Sequence, residues 1–160
     1  MNAKMPDLVR AFEAAGFTDV KTILSSGNVN FSSSVRSIEK LEASAEAAMQ
    51  KLLKRSFLTI VRPLSELQRT LESDPFEAFK LAAKSKRIVT FLRKAPEQAP
   101  TLPVSQGNAR LLLLQDKTAF GAYVPDPKLG PVFMTLIERT LGKDITTRTW
   151  DSVTKVVKAG

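Results

Sequence analysis

Leu8, Val9, Phe12 and Ala15 recur at helical spacing near the start of the chain, and Pro6 is tolerated in a first turn. Residues 5–15 therefore read as a helix that Gly16 ends, with Phe17 expected to pack back on it. The period then changes. Val20, Thr22 and Leu24 alternate with Lys21, Ile23 and Ser25, and Val29, Asn30 and Phe31 resume the extended pattern after Ser26-Gly27-Asn28. A Gly-Asn step reaches positive φ cheaply, so this stretch predicts a hairpin whose turn sets the register of both strands.

Ser32, Ser33 and Ser34 form a polar connector. Beyond it Ile38, Leu41, Ala45, Ala48, Met49, Leu52 and Leu53 trace an apolar stripe through a long helix. Glu39, Glu42 and Glu46 lie on another face, and the order from these acids to Lys51, Lys54 and Arg55 complements the helix dipole. They read as a solvated face rather than a carboxylate site. Phe57 to Val61 predicts a strand stopped by Pro63. A short helix follows through Leu64, Leu67, Gln68 and Leu71, closed by Ser73-Asp74-Pro75, where a domain boundary is expected, giving residues 1–72 and 73–160.

In the second half Phe76 to Ala83 predicts one or two helical turns, and Ile88 to Leu92 a strand. Lys80, Lys84, Lys86, Arg87, Arg93 and Lys94 bracket that strand. With Phe91 as its one aromatic platform, the cluster reads as a solvated rim rather than a phosphate patch. Pro96, Pro100 and Pro103 mark an irregular connector. Gly107-Asn108 turns the chain, and Ala109 to Gln115 and Ala119 to Val124 predict a second hairpin joined by Asp116-Lys117-Thr118. Pro131 to Leu141 reads as a helix with Val132, Phe133, Leu136, Ile137 and Leu141 inward and Gly142 as its C-cap. A Thr-rich extended segment leads into a last helix through Val153, Val156 and Val157, with Thr149 or Asp151 as N-cap.

Composition narrows the chemistry. The 160 residues are 43% hydrophobic, enough to bury a core, and include no Cys and no His. That removes disulfides, thiolate nucleophiles, imidazole bases and zinc sites with N or S ligands from this chain. Carboxylate, Lys, Tyr, Ser or Thr chemistry, or Mg held by oxygen, would remain, and none has a sequence signature; no cofactor is expected. A net charge of +8 favours anionic partners through the long-range field. No segment approaches the roughly 20 apolar residues that span a bilayer, and no secretory signal is visible, so a cytoplasmic protein without a membrane partner is expected.

Two runs, GFTDVKTILSSGNVNFSS and Thr146-Thr147-Arg148-Thr149-Trp150-Asp151-Ser152-Val153, together resemble a bacterial family called domain of unknown function sixteen ninety-seven. The resemblance implies an α+β fold of two subdomains. The first would be ferredoxin-like, βαββαβ, with the hairpin as its second and third strands and Phe57 to Val61 as its fourth. The second would be a small antiparallel sheet with helices. Family members begin with an apolar strand and a glycine-rich loop, whereas this sequence starts near where that loop would finish. An N-terminally shortened member lacking its first strand is therefore expected, with an open sheet edge through which a homodimer could form. Where the family tends to show Ser-Lys, this chain has Pro131-Val132. The resemblance carries no activity.

Three residues are candidates for ligand binding. Arg148 lies just before a helix N-terminus, where hydroxyls, amides and a guanidinium could converge on a phosphate or carboxylate; alternatively it pairs with a carboxylate while Trp150 fills the core. Ser26 and Asn28 at the hairpin tip could contact a ligand, or serve the turn alone. The sequence thus points to a member of an uncharacterised family that binds an anionic ligand or nucleic acid without catalysis. The alternative is an enzyme or sensor acting on a small anionic metabolite in a cleft between subdomains, with no catalytic residue to name.

Overall fold

The computed structural model describes residues 3–25, 27–130 and 132–160. In chain order its elements are α1 (Met5–Ala14), β1 (Thr18–Ile23), β2 (Asn28–Ser32), α2 (Ile38–Leu53), α3 (Leu64–Ser73), β3 (Lys86–Leu92), β4 (Val104–Gln106), β5 (Ala109–Gln115), β6 (Thr118–Tyr123), α4 (Val132–Leu141), β7 (Ile145–Thr149) and α5 (Trp150–Ala159). Helices and separate antiparallel sheets make this an α+β protein. The chain divides into two compact units, residues 1–67 with 154–160 and residues 68–153. Among the described residues no helix is long and apolar enough to cross a membrane.

In the first unit, α1 ends as its sequence demands. The N–H of Gly16 donates to Glu13 O at 2.9 Å and that of Phe17 to Phe12 O at 3.2 Å, a Schellman closure that needs the left-handed φ of +93° at Gly16. The closure returns Phe17 to the helix, where its ring meets Phe12 edge-on at 5.7 Å and stacks on Phe31 of β2 at 4.3 Å. β1 and β2 pair antiparallel, Ile23 opposite Asn28 and Thr18 opposite Ser32, with a register shift between Thr18 and Lys21 where Asp19 takes φ +51°. Ser37 caps α2 by accepting the Lys40 N–H. Leu41, Ala45 and Met49 of α2 join Leu8, Ala11, Phe12, Phe17 and Val61 in one core.

Two expectations fail here, for one reason. Phe57 to Val61 forms no strand. Its N–H groups are taken by side chains instead of by a neighbouring strand: Val61 donates to Glu42 Oε2 at 3.0 Å and Thr59 to Glu46 Oε2 at 3.2 Å. Thr59 and Val61 are two apart, so in an extended chain they present N–H groups on the same edge, and Glu42 and Glu46, four apart on α2, repeat along it. Those carboxylates are therefore not a solvated face. Glu42 is 2% exposed and Glu46 half-buried; only Glu39 points to water.

In the second unit, five strands form an antiparallel sheet in the order β4-β5-β6-β3-β7. The predicted second hairpin is its β5–β6 pair, turning at Asp116 and Lys117. The Thr-rich segment is the edge strand β7, paired with β3 from Ile88 opposite Thr149 to Leu92 opposite Ile145. Leu136 and Ile137 of α4 pack on Ile88, Leu92, Ala109, Leu111 and Ala119, covering one face. On that face the buried Thr90 pairs its hydroxyl with Thr147, its cross-strand partner, at 2.9 Å, which satisfies a polar group in an apolar layer.

Phe76 to Ala83 makes turns but no helix. Asp74, at φ +38°, accepts the Phe76 N–H on its side chain at 3.2 Å and the Glu77 N–H on its carbonyl at 3.1 Å, and this local alternative diverts the backbone. At Gly121 in β6, an added Cβ would stand 2.9 Å from Arg110 O and 3.4 Å from Ile88 Cγ1. Gly121→Ala is therefore expected to cost about 1–3 kcal/mol as β5 is pushed aside. Urea denaturation checks this, and an unchanged midpoint would contradict it.

Candidate functional site

The face of the five-stranded sheet opposite α4 holds the side chain singled out by sequence. Directly paired residues share a face. Val89 pairs with Phe120 of β6 on one side and with Arg148 of β7 on the other, so Arg148 belongs with Phe120 and not with the α4 layer. Phe76, 1% exposed, meets Phe120 edge-on at 5.7 Å and Trp150 edge-on at 5.0 Å. Trp150 is therefore packing, as the sequence allowed. Thr149 is the cap of α5, its Oγ1 accepting the Ser152 N–H at 3.1 Å and donating to Ser152 Oγ at 2.9 Å.

Arg148 is half-buried. One guanidinium nitrogen donates to Thr146 Oγ1 at 2.6 Å and to Thr147 O at 2.9 Å, which holds the side chain along its own strand. Loss of hydration lowers the guanidinium's pKa from its ordinary value. The group still carries its charge at any workable pH, because an arginine pKa begins so high. What results is a positive charge of fixed orientation in a partly dry setting, where attraction to an anion is less screened than in water.

Asn28 lies in the first unit, where its Nδ2 donates to Ile23 O at 3.1 Å across the pair that closes the hairpin. Turn chemistry accounts for that contact. Ser26 lies outside the described residues, as does Pro131.

Two further arginines share the face, neither of them a candidate in the sequence reading. Arg87 and Arg110 both pair with Ala122, one from each side. Arg87, grouped by sequence with a solvated rim, is exposed and lies over the Phe76 ring at 5.6 Å from its centroid. A signal was available: no Asp or Glu occurs in any of the five strands, whereas Lys86, Arg87, Arg110 and Arg148 do.

No curated protein and no solved structure matches the chain. A family model does, over residues 1–111, which takes in the first hairpin motif and ends inside β5, leaving the motif at residues 146–153 beyond it. On that match over more than half its length, the chain belongs to the family described as Protein of unknown function (DUF1697).

Proposed function

We propose that the protein binds an anionic ligand on the second unit, at Arg148, and does no chemistry on it. The observation that carries this is the guanidinium itself, oriented by Thr146 and Thr147 and partly withdrawn from water. Such a charge has already lost hydration, so an arriving anion recovers interaction energy with little reorganisation. The net charge of +8 adds long-range attraction and raises the encounter rate. Asn28 contributes nothing to this reading, since its amide serves its own turn. A cytoplasmic setting, rich in phosphorylated and carboxylated solutes, suits it.

Thermal shift against a panel of nucleotides, phosphates and dicarboxylates tests the proposal. A true ligand at a hundredfold excess over its Kd stabilises by about 2.7 kcal/mol, a shift of several degrees. Arg148→Met is expected to abolish the shift while melting as a folded protein. A flat response of the wild type to every anion would remove the proposal. For a nucleic acid, affinity would fall steeply as salt rises, because contacts to phosphates release counterions.

A further inference from the structure

Register places the three arginines of this face in a line. Arg87 and Arg110 flank the single methyl of Ala122, each as its direct cross-strand partner. Direct partners stand about 5 Å apart at Cβ, so these two are separated by about 10 Å with one small residue between. Arg148 pairs with Val89, two residues along β3 from Arg87, which makes it Arg87's diagonal neighbour at about 7–8 Å. Arg87 is thus the middle member of the line, and each neighbour lies within the combined reach of two arginine side chains.

Like charges on one sheet face repel. Among the described residues neither Arg87 nor Arg110 makes an ion pair, and none of the five strands supplies a carboxylate. The aromatic ring beneath Arg87 lies against its guanidinium without neutralising it. Arginine presents a planar fork that matches phosphoryl oxygens two at a time. A line of such forks, rather than a ring, fits an elongated anion with charge on successive groups.

We propose that this face binds a ligand bearing two or more linked phosphoryl groups, gripped by Arg87 between Arg110 and Arg148. The inference rests on the anion-binding reading of Arg148 and adds to it the ligand class and two residues.

Calorimetric titration of the full chain at low salt tests it, using inorganic pyrophosphate, adenosine diphosphate, succinate and a short oligothymidylate. Pyrophosphate and adenosine diphosphate are expected to bind, with succinate at least about tenfold weaker. Arg87→Gln and Arg110→Gln should each weaken pyrophosphate by about tenfold, and Arg87→Lys, which keeps the charge and loses the fork, by several-fold. Arg139→Gln, exposed on α4 and so tied to the opposite face, should bind as the wild type does. Unliganded melts of each variant separate lost binding from lost folding, and Arg110→Gln leaves the Phe76 contact untouched. Pyrophosphate affinity that survives both glutamine variants but falls with Arg148→Met would overturn this inference and leave the broader reading standing. Binding of the oligothymidylate alone would overturn it in favour of a nucleic acid, and binding of no anion would remove both.

Discussion

Phe76→Ala should destabilise the second unit by about 3–5 kcal/mol, the range for deleting a fully buried aromatic ring. Phe76 is 1% exposed although it lies in a turn segment with no helix or strand of its own. It is held by rings from two parts of the chain, Phe120 of β6 and Trp150 at the start of α5, both edge-on. Alanine would leave a void that neither ring can fill without leaving its own packing. It would also free Arg87, which lies over the same ring. Phe76→Leu, which keeps most of the volume, is expected to lose a smaller share. Chemical denaturation followed by tryptophan fluorescence reads both, since Trp150 is the protein's one tryptophan and touches the deleted ring. A Phe76→Ala midpoint within error of the wild type would show that the turn segment is not part of the core.

Glu42→Ala is expected to cost about 3 kcal/mol, through a mechanism that burial of a carboxylate would not by itself suggest. Its Oε2 is the acceptor for the Val61 N–H, in a segment that has no strand beside it. Removing the acceptor leaves a buried amide unsatisfied and opens space under Val61, itself a core residue at 8% exposure. Glu42→Gln retains an oxygen in place and should recover most of the loss. Glu46→Ala should cost less, since Glu46 is only half-buried. Amide hydrogen exchange supplies a local readout: Val61 should be protected in the wild type and in Glu42→Gln, and exposed to exchange in Glu42→Ala. Val61 exchange unchanged in Glu42→Ala would mean the bond is not what secures this segment.

These two residues also mark where reading the sequence succeeds and where it stops. The helices and both hairpins were legible because their causes lie within a few residues: a 3.6-residue stripe, a period of two, a glycine free to take φ +93° at the end of α1, a threonine placed to cap α5. The place of Arg148, immediately before that cap, was legible for the same reason. Glu42 was misread, although a hint existed: it lies three residues before Ala45 and seven before Met49, on their side of the helix. Phe57 to Val61 has the β-branched and aromatic character of a strand, but whether such a segment becomes a strand depends on what stands beside it. Here that neighbour is a helix with two carboxylates.

The sequence by itself determined most of the local elements with their caps and turns, which follow from interactions between near neighbours in the chain, and the positive charge, which follows from composition. Only the tertiary structure decided the strand order β4-β5-β6-β3-β7, the use of Glu42 and Glu46 as surrogate strand partners, and the alignment of Arg110, Arg87 and Arg148 on one face. Alternation along one strand fixes which residues share a side of that strand, but not which residues of another strand lie opposite. That register is set by pairings such as Val89 with Arg148 and Leu92 with Ile145, between residues more than fifty positions apart, whose contacts form only when the sheet does.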